Sequence, residues 1–535
     1  MAATAGATAK APHVGLVIAG LMMGILLAAL DQTVVGTSLF TIVADIGGFE
    51  RFSWLFAAYM LASTVVIPIA GKLSDIYGRR PVYLVGMGVF LLGSVLCGTA
   101  ATMDQLILYR ALQGLGGGAI FPVALATIAD LFPPSERGKI GGIFGAVFGL
   151  ASVVGPFVGG WIVDYVRVGD VAPWRWVFYV NVPIGIVAMT FVALFFPRLD
   201  NRRKVHIDYA GTATLTAALL SGLMVFVLVQ EGYAWASRET LGLAAVSLAS
   251  LAAFVLVERR AKDPVIPLAL FRNPVFATSI AAGLFGGAAM FAVITFMPTY
   301  LQGVVGLSPT NSGTTLIPLS IAMVTGAGAS GALTKRFGYK VWMLLGFAMA
   351  VLGYLALWHL AQMGTGAPVW LALLDLVVLG AGIGFTLQTF IIAVQNAVEK
   401  RHVGVATSGF TLFRSMGATV GVTVLGLVLN ARFVDAVRSR MDPAWVARFE
   451  ARGDLAKAPD VLRSPDAVAQ MSQAPGGAEA IEAIKLSFAE AIGVVFLIAA
   501  AVAAVAFLIT IFLENRPMKS AEEYHASGAP PPTLE

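Results

Sequence analysis

The sequence predicts an all-α polytopic membrane protein: two six-helix bundles with two further helices inserted between them, fourteen transmembrane helices in all. Three observations carry that prediction. Hydrophobic residues make up 58% of the 535-residue chain and charged residues only 12%, whereas an ordinary soluble globule carries about 25% charge. Apolar runs of about 20 residues, the length that crosses a bilayer, recur from one end to the other. A loop pattern from the first half also returns in the second. The 58 glycines suit helices whose backbones approach closely.

Residues 1–13 form a cytoplasmic N-terminus, with Lys10 as their only basic side chain, ahead of an uncleaved first helix. Spans near 14–40, 52–70, 81–100, 104–131, 139–163 and 176–196 make the N-terminal bundle, 14–196. A linker, 197–275, carries two inserted spans at 209–229 and 239–257, expected to pack outside the twelve-helix core. Spans near 276–301, 311–333, 340–362, 368–398, 404–430 and 486–514 make the C-terminal bundle, 276–514. Within it, 431–485 is a long polar external loop, in which WVARFEAR has an amphipathic helical pattern. Residues 515–535 are a cytoplasmic tail.

The basic residues orient the chain. Twenty-one Lys and Arg fall on the side of the termini and four in short loops of the other side, Arg51, Arg167, Arg175 and Arg238. By the positive-inside rule both termini are cytoplasmic, in a multi-pass protein of the plasma (inner) membrane. The net charge of +5 therefore reports topology, and no nucleic-acid partner is implied. Cys97 is the sole cysteine, so neither an intrachain disulfide nor a thiolate metal cluster can form. No GxxxxGK[ST] and no HExxH is present, which argues against a nucleotide-driven pump and a metallohydrolase. Neither enzyme chemistry nor a metal site is expected.

Asp31, in LDQTVVGTSL, is the residue that most needs an explanation. A carboxylate inside a span costs roughly 2.5 to 3.5 kcal/mol on translocon-type scales and usually faces a partner or a water-filled cavity. Arg110 enters its own span about seven residues from the outside, about 10 Å deep, and lies at nearly the same level. Burial opposes the charged carboxylate and a neighbouring guanidinium favours it. Two roles are open: an ion pair that staples two helices, or a site that loads and releases a proton.

The repeat is carried by GKLSDIYGRRP, Gly71 to Pro81, and GALTKRFGYK, Gly331 to Lys340, each with two glycines seven apart after the second span of its block. Gly71 and Gly78 permit tight turning, and Asp75 can accept from helix-end N–H groups or pair with Arg79 or Arg80. In the second copy Lys335 replaces the Asp. A parallel repeat of this kind puts a substrate site at the interface of the halves, near the bilayer midplane.

Other candidates are single polar groups in apolar runs: Gln113, Asp375, Gln388, Arg414 and Glu490. Gly155 and Pro156, with Gly149, Gly159 and Gly160 around them, place a helix-kinking proline among small residues. Phe285, Met290, Phe291, Phe296, Met297 and Tyr300 are candidates for an adaptable apolar cavity wall or for packing.

GKLSDIYGRRP resembles the cytoplasmic loop signature of the major facilitator superfamily, and three further motifs follow in the superfamily's order. LYRALQGLGGG, Leu108 to Gly118, is similar to its fourth-span motif, and GLASVVGPFVGG, Gly149 to Gly160, to its fifth-span antiporter motif. LDQTVV and PWRWVFYVNVPIG, Pro173 to Gly185, resemble the fourteen-span drug:proton antiporter branch, the QacA/EmrB-like group. The resemblance implies the major facilitator fold and a proton-coupled antiporter that exports amphipathic compounds by alternating access. It needs no cofactor, the proton gradient being the energy source. It implies a conformational latch at Gly71, Asp75, Gly78, Arg79 and Arg80, and a place for Arg110 near the proton pathway. Thr407, Ser408, Thr411 and Arg414 stand where some cationic-drug exporters of that branch carry acids, a departure that counts against strongly cationic cargo. A lipid or lipid-conjugate exporter on the same fold and a non-transporting receptor or scaffold are the alternatives. The partners expected are amphipathic small molecules or lipids, protons and membrane lipids.

Overall fold

Long helices of 15 to 38 residues account for most of the described chain, and the way they pair sets the position of the site. The computed structural model describes residues 14–516 except 48–51, 133–142, 144–146, 148–149, 152–153, 156, 164, 197–207, 231, 263, 308, 367, 400–401, 452–454, 456–457, 459–460 and 463–464. Among the described residues, thirteen helical stretches are long and apolar enough to cross a membrane. About half of the fifth predicted span, 139–163, lies outside the described residues, Gly149 and Pro156 among them.

The first half contributes α1 (Val14–Ile46), α2 (Phe52–Tyr77), α3 (Arg79–Thr99), α4 (Met103–Leu131) and α5 (Asn181–Phe195). The inserted pair is α6 (Tyr209–Gln230) and α7 (Arg238–Glu258). The second half contributes α8 (Pro274–Gly303), α9 (Ile317–Phe337), α10 (Tyr339–Gln362), α11 (Val369–Ala397) and α12 (Val403–Arg440). Two short helices follow, α13 (Pro443–Ala451) and α14 (Pro465–Ser472), and then α15 (Gly477–Ile511). Starts are marked in the sequence. Thr102 caps α4 by accepting from Gln105 N, Ser237 caps α7 by accepting from Thr240 N, and Asn273 caps α8 ahead of Pro274.

The repeat is visible as geometry. Gly78 and Gly338 precede α3 and α10 with φ of 93° and 76°, a backbone region that is essentially restricted to glycine. The basic residue two places after each glycine then donates to a carbonyl near the end of the last helix of its own half, Arg80 to Ala193 O and Lys340 to Ile511 O. Glycines 114, 116 and 118 of α4 match glycines 380, 382 and 384 of α11, and both helices are central, buried on most sides.

At the end of the molecule that bears the two repeat loops the halves share one apolar core, in which Leu125, Ile128 and Ala129 of α4 join Ile391 and Val394 of α11 and Val403 and Ala406 of α12. Toward the opposite end each half has its own. Val34, Leu55, Leu106 and Trp174 centre the first, and Met297, Tyr354, Leu376 and Phe496 the second. The halves are therefore packed on each other at the loop-motif end and keep separate apolar cores toward the other.

Two expectations change. The segment 431–485 is not simply a loop: α12 runs on to Arg440 and α15 begins at Gly477. Phe433, Val437 and Met441 form an apolar stripe at helical spacing that packs under Phe488 and Ile484, and the first proline after α12 is Pro443. WVARFEAR lies mostly in α13. The inserted pair is also not wholly peripheral. α7 faces outward, but α6 packs against both α2 and α12, with Leu223 and Val227 against Leu61 and with Leu215 and Leu219 in a cluster with Val65 and Leu412.

Candidate functional site

Asp31 is 1% exposed and is held by side chains from two other helices, which a third helix backs. Arg110 of α4 donates from Nη1 to Asp31 Oδ2 at 2.5 Å. Gln113, one turn further along α4, donates from Nε2 to Asp31 Oδ1 at 2.8 Å, and Asn181 of α5 donates to the same oxygen at 2.8 Å. Ser94 of α3 accepts from both amides, at 2.6 Å from Gln113 and 3.1 Å from Asn181. Gln113 Oε1 in turn accepts from Arg110 at 2.5 Å. Arg110, Gln113, Ser94 and Asn181 are all at most 2% exposed. Both carboxylate oxygens are satisfied, which is the condition for a buried ion pair to be tolerated.

Local sequence explains why these groups meet. Arg110 and Gln113 are three apart on α4 and so share a face. Gly93 lets α3 approach α4 at that level: a Cβ there would lie 2.6 Å from the N, Cα and Cβ of Gln113. Asn181 heads a stripe with Gly185, Ala188 and Val192, the buried face of α5. The turn before it is pinned by Trp174, fully buried and donating from Nε1 to Asp45 Oδ2 at 2.8 Å, and by Arg175, which donates to Gly98 O and Ala100 O at the end of α3. The PWRW stretch thus places Asn181.

The far side of Arg110 faces Tyr59, whose ring centroid lies 4.5 Å from the guanidinium carbon, a cation–π distance. Tyr59 and Gln32 also line a cavity of about 140 Å³ between the halves. Ser63, Thr64 and Phe121 are also part of its first-half wall, and Met290, Phe291, Gln388, Thr411, Arg414 and Ser415 belong to the second. Of the aromatic and sulfur residues expected to line a cavity, Met290 and Phe291 do. Phe296, Met297 and Tyr300 lie within the second-half core, and Phe285 packs against the shared core.

The fifth-span glycines approach Asp31 from another side. Thr33, two residues after Asp31, donates to Ala151 O at 3.2 Å, and a Cβ on Gly155 would strike the Thr33 hydroxyl. Gly159 is buried and Gly160 partly so.

At the loop-motif end Arg79 is the hub. It pairs with Asp75 at 2.5 Å and with Asp130 of α4 at 2.8 Å, and donates to Ser74 Oγ at 2.6 Å. Asp75 and Arg79 sit against the first turn of α12, where a Cβ on Gly404 would lie 2.9 Å from Arg79 Nη1 and would press on Asp75. A carboxylate at a helix N-terminus is favourably placed against the helix dipole. Gly71 makes the next contact, against Ser408 of α12. The cluster therefore fastens the first half to the second.

The remaining candidates separate. Gln388 and Arg414 face the cavity. Asp375 is 6% exposed with no hydrogen-bond partner for Oδ2, in the second half and outside both the Asp31 network and the cavity. Glu490 is half-exposed and paired with Arg440 at 2.6 Å, a surface ion pair well along α15, not a group near the start of an embedded span. Asn181, Ser94 and Asp130 had not been singled out from sequence. An Asn inside an apolar helix is costly enough to have marked Asn181, whereas a lone Ser or an Asp near a helix end carries no such signal.

The chain was compared with known proteins. The family model described as Major Facilitator Superfamily matches residues 21–422. Multidrug transporter protein MdtP of Bacillus subtilis is 38% identical over 516 residues, covering 94% of this chain and 93% of that protein. Multidrug resistance protein 3 of the same organism is 40% identical over 429 residues, covering 80% and 82%. Among solved structures, the proton:xylose symporter XylE superposes with a TM-score of 0.61 at 13% identity, over 97% of this chain and 99% of that one. A bacterial homolog of the human lysosomal transporter Spinster gives 0.60 at 16%, over 95% and 98%. At such identities the structural likeness concerns the fold alone.

Proposed function

The chain belongs to the major facilitator superfamily, and on that premise we propose that it is a proton-coupled antiporter exporting amphipathic compounds by alternating access, with Asp31 as the proton carrier. The observation that carries this reading is the Asp31 carboxylate itself, buried and satisfied by Arg110, Gln113 and Asn181, behind the Gln32 and Tyr59 side chains that line an inter-half cavity. Two relatives named for multidrug transport and resistance support small-molecule export.

In this reading the basic loops and both termini are cytoplasmic, the membrane is the plasma (inner) membrane, and the proton gradient supplies the energy without a cofactor. The packed loop-motif end is then the closed cytoplasmic side. In the outward-facing stage of this cycle Asp31 is the ionised partner of Arg110, ahead of proton uptake from outside. A proton arriving at Oδ2 displaces the Arg110 bond. The freed guanidinium keeps Gln113 Oε1, Leu55 O at 3.4 Å and the Tyr59 ring, so it stays hydrogen-bonded once its counter-charge is neutralised. Neutralising Asp31 loosens α1 from α4 and reaches Gly155 through Thr33 and the cavity through Tyr59. The loaded carrier returns inward, where cargo binding and proton release are coupled.

The direct test is proton release on binding. Detergent-purified protein in weak buffer with a pH-indicator dye is mixed with amphipathic dyes; wild type releases protons and Asp31→Asn does not. Equal release by both proteins rejects Asp31 as the carrier.

A further inference from the structure

Arg414 is a cation on the wall of the central cavity, without a counter-charge among the described residues. It stands on α12 and reaches toward the first half, its guanidinium carbon 5.5 Å from the centroid of the Phe121 ring of α4. Its Nη1 is enclosed and has no hydrogen-bond partner. No carboxylate lies within ion-pair distance of it among the described residues. Arg414 is partly exposed toward the cavity, whereas Arg79 and Arg110, the two buried arginines among the described residues, are each paired with carboxylates. A buried charge is normally paired or hydrogen-bonded, because leaving it alone is among the costliest arrangements a fold can hold.

The surroundings supply no substitute. The Thr411 hydroxyl, on the same helix, is engaged with Thr407 O at 2.8 Å. Gln388 is the amide that shares this side of the cavity. The nearby wall also holds Ser415 and the apolar side chains of Phe121, Met290, Phe291 and Leu387, of which the methionine is the adaptable one. One charged anchor among apolar side chains and a few neutral polar ones is the usual build of a small-molecule site, and a guanidinium fork is suited to two oxygens of one acid group.

We propose that Arg414 is the recognition point for the acidic group of an amphipathic cargo, a carboxylate, sulfonate or phosphate ester whose apolar body lies against Phe121, Phe291 and Met290. The inference rests on the cavity's being the transport cavity and names the class of compound it takes. A bound acid completes the charge that the fold leaves open, and a cation at the same place is repelled. Selectivity for acidic amphipaths then follows from one residue, independently of how the transport cycle is energised.

The test is equilibrium binding to the full chain in phosphatidylcholine nanodiscs, without a proton gradient. The probes are 4-phenylbutyrate, 4-phenylbutanamide and 4-phenylbutylamine, alike in shape and different in charge. Wild type is expected to bind the carboxylate at least ten-fold more tightly than the amide, and the amine most weakly. Arg414→Met should lower carboxylate binding to the level of the amide while leaving amide binding within two-fold, and Arg414→Lys should retain part of the preference. Equal affinity of wild type for carboxylate and amide overturns the proposal, as does a carboxylate preference that survives in Arg414→Met. Should Arg414→Met fail to fold, the wild-type probe series and Arg414→Lys decide. Replacing one third of the lipid by phosphatidylglycerol tells the sources apart. Competition in wild type assigns the acid group to a lipid headgroup, its absence to a soluble anion, and each is an anion at Arg414. Proton release by wild type and Asp31→Asn is a separate readout, so failure of the carrier reading and failure of this one are distinguishable.

Discussion

Arg110 Nη1 donates to both Asp31 Oδ2 and Gln113 Oε1, each at 2.5 Å, so one nitrogen ties the carboxylate of α1 to the amide of its own helix. A lysine ammonium keeps the charge but is a point donor without the planar fork and without the stacked face that lies on Tyr59. Arg110→Lys is therefore expected to lower export at least ten-fold. Arg110→Ala, which abandons a buried carboxylate, should cost about 3–5 kcal/mol. Export assays in vesicles and thermal unfolding in detergent check the two effects.

Asn181 gives Asp31 Oδ1 one of its two amide donors. Asn181→Ala leaves part of the demand of a buried carboxylate unmet, at a cost of about 1–3 kcal/mol. A double-mutant cycle with Ser94→Ala should show coupling between the two positions, since Ser94 Oγ accepts from Asn181. Additive melting shifts would contradict the network.

Gly93 admits Gln113 to within contact of α3. Gly93→Ala places a methyl 2.6 Å from Gln113 backbone atoms, and the resulting overpacking should cost about 1–3 kcal/mol and separate Ser94 from Gln113. Gly88 has nothing within 4 Å of a built Cβ, so Gly88→Ala should melt within about 0.5 kcal/mol of wild type. Thermal scans of the pair measure the difference.

At the loop-motif end, Gly404→Val thrusts a side chain at Asp75 and Arg79 and should bias the halves toward opening there. Spin-label distances between the loop-motif ends of α2 and α12 should lengthen, with Asp75→Asn moving the same distance by less. Cys97 is buried, so it does not compete with engineered labelling sites. An unchanged distance distribution in Gly404→Val would remove the latch from the account.

The fold was legible because bilayer-length apolar runs and the paired glycine loops each constrain the chain independently. Asp31 and Arg110 were legible as partners because buried charges are rare and their depths could be estimated by counting residues. Asn181 was overlooked inside PWRWVFYVNVPIG although its polarity in an apolar helix was the available signal. The extension of α12 was hidden because charges such as Arg438 and Arg440 outweigh the Phe433, Val437 and Met441 stripe in any hydropathy average. Which phenylalanines line the cavity could not be read from spacing, since α8 is buried on several faces and its apolar residues carry no direction.

The central claim, that Asp31 carries the proton that drives export, is tested most directly in proteoliposomes under an imposed pH gradient. Wild type should accumulate an amphipathic substrate against its concentration gradient, while Asp31→Asn binds the substrate with an unchanged dissociation constant and only equilibrates it. Uphill accumulation by Asp31→Asn at the wild-type rate would contradict the account.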